Sequence, residues 1–353
     1  MTASPTKVAL LFGGRSGEHE VSVRSAVSVA QGLAPGHAVL PVFIDREGTW
    51  RLQDGSAPRP QGGEPVFLVP SPADGGRIRR MADASVVAAP DVYFPVLHGT
   101  YGEDGTVQGL LELAGVPYVG SGVAASAAGM DKELMKALFA QSGLPQVAYR
   151  VLRRGEPLPD LGALGLPLFV KPANLGSSVG VSKVKRAADL SAALEVAFHY
   201  DRKVVVETGI DAREIELAVL GNDAPEASLP GEIVPDREFY DYDSKYSADS
   251  KTELRIPAPL DEAARSAAQA LAVRAFRAVD AAGYARVDFF LERSSGRIVL
   301  NEINTIPGFT SISMFPKLWE ATGIAYGDLL SRLIRLGLAR HRERAHLSTH
   351  RPD

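Results

Sequence analysis

Two β-strands joined by a tight turn are predicted by the segment Arg286-Val-Asp288 … Asn301-Glu-Ile-Asn304. The turn between them, Arg293-Ser-Ser-Gly-Arg297, has three central residues that end in glycine. This composition suits a hairpin with a left-handed bulge position, because glycine adopts that conformation without strain. A hairpin centred on the middle serine of the turn places Asp288 opposite Glu302.

The same register places Arg286 opposite Asn304. Because side chains alternate along a strand, both pairs lie on one face of the hairpin. The other face receives four apolar residues: Val287, Phe289, Val299 and Ile303. The hairpin is therefore expected to have one polar face and one core face.

Two facing carboxylates on the polar face allow two interpretations. Asp288 and Glu302 repel each other by roughly 0.2–1 kcal/mol if nothing lies between them. A divalent cation would convert that repulsion into a binding site, since Asp, Glu and Asn oxygens are ligands of Mg²⁺, usually together with substrate phosphates. The alternative is a solvated acidic face on an exposed hairpin, and the rest of the chain decides between the two.

Composition limits the class of protein. A length of 353 residues predicts two or three domains. Hydrophobic content of 45% and charged content of 23% are ordinary for a soluble globular protein. The formal net charge of −4 argues against a nucleic-acid surface as the main partner. Cysteine is absent, which excludes disulfides, thiolate metal sites and cysteine nucleophiles.

The start of the chain is not expected to act as a targeting signal. Residues 1–7 lack a basic region, and the apolar run 8–12 is too short for a signal peptide. Nothing approaches an uninterrupted transmembrane run. We therefore expect a cytoplasmic, soluble enzyme or binding protein.

Residues 1–120 are predicted to form an α/β domain. Strands are expected at 7–12, 37–45 and 91–97, and a helix at 18–32. This alternation predicts a doubly wound parallel sheet, in which ligands bind at the carboxyl ends of the strands. Gly13-Gly14 and His98-Gly99 both lie at such ends. The Gly-, Pro- and Arg-rich residues 54–83 are expected to be loops around short strands.

A second unit, with both helices and strands, is predicted over residues 121–207. Its elements are helices at 131–142 and 187–199 and strands at 167–172, 181–184 and 203–207. The two strands 167–172 and 181–184 enclose a glycine-rich loop, so they are expected to form a hairpin.

Residues 208–353 are predicted to form a third unit that contains the hairpin described above. Its other elements are a strand at 215–220, a polar stretch at 237–251 and helices at 261–282 and 326–338. The tail 340–353 holds four Arg and three His and is expected to be a solvated or disordered end.

The loop Gly176-Ser-Ser-Val-Gly180 suits an anion, because small residues let backbone amides approach closely. Lys171 lies in the apolar strand before it. The loop is neither a Walker A motif nor a Rossmann fingerprint, and it could equally be an ordinary flexible turn.

Lys132 lies in the first turn of a helix, where it opposes the macrodipole. This unfavourable placement gives only weak support for a functional role of Lys132. From this feature alone, an ordinary surface lysine is the favoured interpretation.

Three further polar segments have open interpretations. His98-Gly-Thr-Tyr-Gly-Glu-Asp-Gly105 could be a catalytic cluster, a metal site or a hydrogen-bonded turn. Thr305-Ile-Pro-Gly-Phe-Thr-Ser311 follows the acidic strand and could offer the Gly308 amide to an oxyanion, or be a plain turn. The stretch 238–246 could be a lid over a substrate or an exposed loop. A cation at a glycine-rich hairpin and an acidic hairpin together indicate an enzyme that uses Mg-ATP.

At this point the chain resembles the D-alanine–D-alanine ligases of the ATP-grasp superfamily. Five segments carry the resemblance: 11–22, 98–109, 170–181, 240–246 and 301–310. Each is moderately specific, but all five in this order are highly specific, and the similarity extends over about residues 7–336.

The resemblance implies a fold and an activity. The fold is a three-domain ATP-grasp architecture, with the parallel-sheet domain first and two α+β domains that sandwich ATP. The activity is ATP-dependent ligation of two D-alanine molecules through an acyl phosphate, for peptidoglycan precursor synthesis. It also implies two Mg²⁺ (or Mn²⁺) ions, a homodimer in the cytoplasm, and no nucleic-acid or membrane partner.

The resemblance also assigns roles to individual residues. The implied ATP contacts are Lys132, Lys171, Gly176, Ser177, Ser178, Glu207 and Glu214, and the implied metal ligands are Asp288, Glu302 and Asn304. The implied catalytic residues are Glu18, Ser177, Tyr246, Arg286 and Gly308. The implied substrate contacts are His98, Lys245, Ser313 and Met314.

Two positions refine the implied substrate. Relatives that join D-alanine to D-lactate often carry Phe where this chain has Tyr246, so Tyr246 favours the dipeptide. Thr208 departs from the family, since many relatives have Lys beside the adenine. The alternatives are another ATP-grasp carboxylate–amine ligase, a nucleotide-binding regulatory protein without catalysis, and a scaffold protein. Glu18 with the segment that starts at His98 argues against the first, and the intact polar hairpin argues against the second. A scaffold protein would not need so many Gly and polar residues clustered at strand ends.

Overall fold

The computed structural model describes residues 4–235, 252–310 and 312–348. Within these ranges the strands assemble into three sheets that follow one another along the chain. No helix in the described ranges combines the length and the apolar composition needed to cross a membrane. The predicted lid stretch 237–251, with Lys245 and Tyr246, lies outside the described residues.

The first sheet has a parallel centre and an antiparallel extension. Its order is β6-β5-β4-β3-β2-β1-β7, and only β2, β1 and β7 are parallel neighbours. The strands are β1 Thr6–Gly13, β2 His37–Ile44, β3 Trp50–Leu52, β4 Glu64–Leu68, β5 Ile78–Arg80, β6 Val86–Ala88 and β7 Val92–Pro95, and the helices are α1 His19–Leu33 and α2 Thr106–Leu113. The predicted parallel strands are confirmed. The four added strands are antiparallel, and the loops that connect them contain no crossover α-helix.

The second sheet is antiparallel throughout, in the order β10-β9-β11-β8. Its elements are α3 Val123–Met130, α4 Lys132–Gln141, β8 Tyr149–Arg153, β9 Leu168–Pro172, β10 Ser182–Val184, α5 Leu190–Tyr200 and β11 Lys203–Thr208. The predicted hairpin of β9 and β10 around the glycine-rich loop is confirmed. Asp131 caps α4 by accepting the amides of Glu133 and Leu134, which explains where that helix begins.

The third sheet has the order β15-β14-β12-β16-β17, with β13 beside β12. Its strands are β12 Ala212–Gly221, β13 Glu226–Ala227, β14 Gly231–Val234, β15 Glu253–Arg255, β16 Gly283–Glu292 and β17 Ile298–Asn304, and its helices are α6 Glu262–Ala278, α7 Met314–Ala321 and α8 Tyr326–Ala345. Helix α6 ends four residues before the predicted end because Asp280 turns to a left-handed φ of 59°.

The last helix is longer than predicted. Residues 340–345, expected to belong to a solvated or disordered tail, continue α8. The guanidinium of Arg340 lies 4.2 Å from the ring centroid of Tyr118, and Arg344 pairs with Glu112. The prediction was wrong here because contacts with the first unit, and the favourable placement of Arg near a helix C-terminus, stabilise the last turns.

The hairpin of β16 and β17 has the predicted register at its polar end. Asp288 pairs with Glu302 and Arg286 pairs with Asn304, and Gly296 in the turn has a φ of 69°. A bulge then shifts the register, so Phe289 pairs with Leu300 and Asn301 is left as the extra residue.

The bulge corrects one predicted orientation. Val299 pairs with Phe290, and alternation puts Phe290 on the same face as Asp288. Val299 therefore does not share the face of Val287, although it is fully buried. The turn sequence could not reveal this, because the bulge lies in the strand and not in the turn.

An aromatic cluster joins the first and third units. Phe309, in the loop after β17, packs its ring 6.2 Å from Phe94, 5.5 Å from Tyr284 and 5.4 Å from Phe315, measured between ring centroids. All four side chains are buried. Because Phe94 belongs to β7, the cluster fixes the loop after β17 against the first sheet.

The N-cap of α6 gives a test of local stability. Asp261 accepts the amide of Ala264 at 2.7 Å, so Asp261→Ala is expected to lower the free energy of unfolding by about 1 kcal/mol. Asp261→Asn keeps an acceptor oxygen, so its free energy of unfolding is expected to fall much less. Urea-induced unfolding of the three proteins measures the difference, and equal losses for Ala and Asn would contradict the capping role.

Candidate active site

A cavity of about 610 Å³ is lined by residues from all three units. Most of the predicted site residues line it: Glu18, His98, Lys132, Gly176, Ser177, Arg286, Glu302, Asn304, Gly308, Ser313 and Met314. Five others, Lys171, Ser178, Glu207, Glu214 and Asp288, are described but are not part of the lining. The structure thus brings together side chains that are almost three hundred residues apart in sequence.

Three carboxylates lie in one row across the third sheet. Glu216 on β12 pairs with Asp288 on β16, which pairs with Glu302 on β17. Sequence reasoning missed Glu216, although its spacing of two from Glu214 in a strand could have indicated it. Such a row requires positive charge nearby, because adjacent carboxylates repel each other.

Arg286 supplies part of that charge. Its guanidinium donates to both oxygens of Asp288, at 2.7 and 2.8 Å, and its Nε lies 3.0 Å from Glu216 Oε2. Burial by itself lowers the pKa of Arg286, but the charges of Asp288 and Glu216 outweigh burial and hold that pKa well above its ordinary value. Arg286 therefore stays charged inside the cavity.

Lys132 lies between the glycine-rich loop and the acidic row. Its Nζ donates to the carbonyl of Leu175 at 2.8 Å and lies 3.7 Å from Glu302 Oε2. Its backbone amide donates to the carbonyl of Ala173 at 3.0 Å. The start of α4 is thus tied to the glycine-rich loop. The ammonium of Lys132 is directed toward the cavity.

A buried carboxylate between two lysines lies beneath the cavity. Glu207 Oε2 accepts from Lys171 Nζ at 2.7 Å, and Lys136 Nζ lies 2.9 Å from Glu207 Oε1, as an ion pair outside good hydrogen-bond geometry. Burial raises the pKa of Glu207, but the two ammonium groups prevail and lower it to about 2. The carboxylate therefore remains ionised and holds Lys171 in place.

Lys136 was missed by sequence reasoning. It is one helical turn after Lys132 on α4, so the spacing of four could have placed both on one face. Its side chain is 1% exposed, and burial lowers its pKa. Lys171, in contrast, has a raised pKa, because the charges of Glu207, Glu302 and Glu214 outweigh its burial.

The glycine-rich loop has a compact, left-handed conformation. Ser177 and Ser178 have φ angles of 50° and 59°, which are uncommon for residues with a side chain. Asn174 fixes the start of the loop by donating its backbone and side-chain amides to Asp201 Oδ2, at 2.8 and 2.9 Å. A Cβ on Gly176 would lie 3.1 Å from Glu18 Oε1, so the loop closely approaches the first unit.

Glu18, His98 and Glu103 form a cluster at one end of the cavity, with their ligand atoms within 4.8 Å of one another. His98 Nδ1 lies 3.6 Å from Glu103 Oε1. Burial raises the pKa of Glu103 to about 7, against the opposing effect of His98. For His98, burial lowers the pKa, but the carboxylates of Glu103 and Glu18 raise it by more. Glu103 was part of a predicted polar segment but had no assigned role.

The loop after β17 forms another part of the cavity wall. The amide of Ile306 donates to Asn304 Oδ1 at 3.1 Å. A Cβ on Gly308 would lie 2.7 Å from Ser313 Oγ, so a side chain there would displace the Ser313 hydroxyl. Ser313 Oγ also accepts the amide of Thr310 at 3.1 Å. The loop is thus held from within, and the Gly308 backbone faces the cavity without a side chain.

Comparisons with known proteins indicate one family over nearly the whole chain. Family models described as D-ala D-ala ligase N-terminus and D-ala D-ala ligase C-terminus match residues 7–121 and 138–335. A D-alanine--D-alanine ligase of Heliobacterium modesticaldum is 54% identical, over 98% of each chain.

Solved structures agree as well. The D-alanine-D-alanine ligase from Coxiella burnetii has a TM-score of 0.85, 37% identity and coverage of 97% of both chains. The VanG D-Ala:D-Ser ligase from Enterococcus faecalis has a TM-score of 0.83 and 34% identity, over 95% of this chain and 100% of that one. The predicted α/β architecture of three units is confirmed by these neighbours.

The lowered pKa of Glu207 predicts a pH dependence of stability. A carboxylate whose folded pKa is depressed contributes stability above its unfolded pKa, and that stability is lost as pH falls through the folded pKa. At pH 7, Glu207→Gln is therefore expected to lower the free energy of unfolding by about 3 kcal/mol. Between about pH 4.5 and pH 2 the difference from the unmodified protein should shrink.

Urea unfolding at several pH values measures this difference. The double variant Lys136→Met, Glu207→Gln is the control, because it removes one ammonium together with the carboxylate, and it should be more stable than Glu207→Gln alone. A difference that does not change from pH 7 to pH 3 would contradict the assignment.

Proposed function

Because this chain belongs to the D-alanine–D-alanine ligase family, we propose that it joins two D-alanine molecules into D-alanyl-D-alanine and converts ATP to ADP and phosphate. The product is a precursor for peptidoglycan synthesis. One cavity, to which all three units contribute, is the observation that carries the proposal. Its lining combines an acidic cluster around His98, the Lys132 ammonium beside a glycine-rich loop, and Glu216, Glu302 and Arg286, which adjoin Asp288.

Two bond-forming steps make up the reaction. In the first, a carboxylate oxygen of one D-alanine attacks the γ-phosphorus of ATP, and ADP leaves. In the second, the amine of the other D-alanine attacks the acyl carbon, an oxyanion forms, and the bond to the phosphate oxygen breaks. The amine loses its proton as phosphate departs. Both steps depend mainly on positioning and charge stabilisation.

We assign the phosphates of ATP to Lys132, Lys171 and the backbone amides of Gly176, Ser177 and Ser178. The support is the placement of both ammonium groups beside the loop, with Lys171 held by Glu207. Glu207 and Glu214 remain our assignment for the adenine and ribose end. Since the Glu207 carboxylate is engaged by two lysines, its backbone is the group that we expect to face the base.

Asp288, Glu302 and Asn304 fit a divalent metal site. Their oxygens are hard donors, and the register of β16 and β17 brings them to one face. In the structure Asp288 and Glu302 are near Arg286 and Lys132, which shows that the position already attracts positive charge. We propose two Mg²⁺ or Mn²⁺ ions there, which when bound would neutralise charge on the phosphates.

The first D-alanine is assigned to the end of the cavity at Glu18. The carboxylate of Glu18 would receive its ammonium, and Ser177 and His98 lie beside that position. Tyr246 is assigned as a hydrogen-bonding partner of Glu18 and Ser177, and Lys245 as its neighbour in the lid. Both lie outside the described residues.

The second D-alanine is assigned to Ser313 and Met314, at the N-terminus of α7, where backbone amides suit its carboxylate. Arg286 and the amide of Gly308 are assigned to the oxyanion of the second step. The guanidinium of Arg286 is held by Asp288 and Glu216, which orients it before substrate arrives.

The domain boundaries, the oligomeric state, the location and the partners are also proposals. We divide the chain into domains at 1–120, 121–207 and 208–353. We also propose a homodimer that acts in the cytoplasm without nucleic-acid or membrane partners. The net charge of −4 supports the exclusion of nucleic acid.

Release of phosphate from Mg-ATP tests the function. With purified protein, D-alanine is expected to stimulate release and to give D-alanyl-D-alanine, whereas L-alanine should not. D-serine and D-lactate, each added together with D-alanine, report the choice of second substrate, and Tyr246 leads us to expect little ester. Release that D-alanine does not stimulate would overturn the proposal.

Substitution of Glu302 tests the metal site. Glu302→Ala is expected to lower kcat on the order of 10³-fold, because metal ions supply several kcal/mol of charge stabilisation. It should also weaken binding of Mn²⁺ in the presence of ADP, measured by electron paramagnetic resonance without turnover. Glu292→Ala changes a carboxylate on the same hairpin, outside the cavity lining, and is expected to leave both quantities unchanged. Normal Mn²⁺ binding by Glu302→Ala would contradict the assignment.

A further inference from the structure

Phe309, the residue after Gly308, is fixed at three places. Its ring packs in the aromatic cluster, and its carbonyl accepts from the Tyr326 hydroxyl at 3.1 Å. Its amide donates to Ser25 Oγ at 3.3 Å. Ser25 lies on α1 in the first unit, so a hydroxyl from one end of the chain holds the backbone beside Gly308.

Ser25 also contacts His98. Its Oγ lies 3.0 Å from His98 Nε2, and His98 Nδ1 lies 2.9 Å from the carbonyl of Ile306. Ser25 and His98 therefore contact the loop on both sides of Gly308, at Ile306 and at Phe309. Ser25 is fully buried and His98 is 3% exposed, so water does not compete for these bonds.

The Phe309 amide can donate to Ser25 in either protonation state of His98. With neutral His98 protonated at Nδ1, that nitrogen donates to Ile306 and Nε2 accepts the Ser25 proton. With charged His98, Nε2 donates to Ser25 Oγ. A hydroxyl oxygen has two lone pairs, so Ser25 can accept the Phe309 amide in both states. The contact with the loop thus does not depend on how a proton is shared between His98 and Glu103.

A buried hydroxyl in the middle of α1 requires a reason. Serine is a poorer helix former than alanine, and a buried polar group costs free energy unless it is bonded. Both bonding partners of Ser25 come from other parts of the chain, at His98 and Phe309. Neither partner lies in α1, so the hydroxyl connects this helix to His98 and to the loop after β17.

We propose that Ser25 is a positioning residue that holds the Gly308 amide for the oxyanion of the second reaction step. This inference rests on the proposed ligase function and on the assignment of Gly308 within it. Displacement of an oxyanion donor slows the step in which the oxyanion forms. Phosphoryl transfer to the first D-alanine does not form that oxyanion and should be affected much less.

Two variants separate this role from general stability. Ser25→Ala removes the hydroxyl. Ser22→Ala is the matched control, because Ser22 is also fully buried on α1, accepts the amide of Gly13 at 2.8 Å and donates to the carbonyl of Val96. Ser22 therefore loses a similar pair of bonds, but within the first unit and away from the loop.

The first measurement needs no substrate. Hydrogen–deuterium exchange of a peptide containing residues 305–310 is expected to be at least tenfold faster in Ser25→Ala than in the unmodified protein. In Ser22→Ala the same peptide should exchange at the unmodified rate. Unchanged exchange in Ser25→Ala would overturn the proposal, whatever reaction the protein catalyses.

The second measurement compares the two reaction steps in one sample. Scrambling of ¹⁸O between bridging and non-bridging positions of ATP reports reversible acyl phosphate formation, and dipeptide reports the second step. Ser25→Ala is expected to lower dipeptide formation about tenfold to a hundredfold, and to raise the ratio of scrambling to dipeptide about tenfold. Ser22→Ala should leave that ratio unchanged.

The outcomes are distinct. An equal fall of scrambling and dipeptide in Ser25→Ala would mean a purely structural role and would overturn the inference. Unmodified protein that forms no dipeptide from D-alanine would instead overturn the proposed function, and the exchange experiment would still decide whether Ser25 holds the loop.

Discussion

The bidentate ion pair between Arg286 and Asp288 sets the charge balance on which the cavity depends. Asp288 lies in register between Glu216 and Glu302, so three carboxylates share one row, and two of them, Glu216 and Asp288, are buried. A surface ion pair contributes about 0–1 kcal/mol, but removal of one partner from a buried pair costs about 3–5 kcal/mol. The folded state therefore depends on cations such as Arg286 that stay close to these acids.

The same balance prepares the cavity for a charged substrate. Lys132 lies between a backbone carbonyl of the glycine-rich loop and Glu302, and Lys171 is held by Glu207. Each ammonium is oriented by an anion or dipole before any phosphate is bound, which lowers the cost of organising the site. The Lys132 ammonium of the second unit and carboxylates of the third sheet thus meet across one cavity, as an enzyme that binds a metal–nucleotide complex requires.

Local patterns predicted most elements, because their causes are local. The turn ending in Gly296 determined the register of Asp288 and Glu302, and Asp131 marked the start of α4. The bulge at Asn301 and the length of α8 depend on contacts with distant residues, so no short pattern reveals them. Many site roles came from the family resemblance, whereas Lys136, Glu216 and Ser25 were identified from their contacts in the structure. Their bonds join residues that are far apart in sequence.

We propose that Asp288 and Glu302 of the acidic row, together with Asn304, form the metal site of the enzyme. Anomalous diffraction from crystals grown with Mn²⁺ and ADP locates the ions directly. We expect manganese peaks within ligand distance of oxygens from these three residues, with Arg286 retained beside Glu216. Manganese bound instead by Glu18, His98 and Glu103, with no peak at the row, would contradict the account.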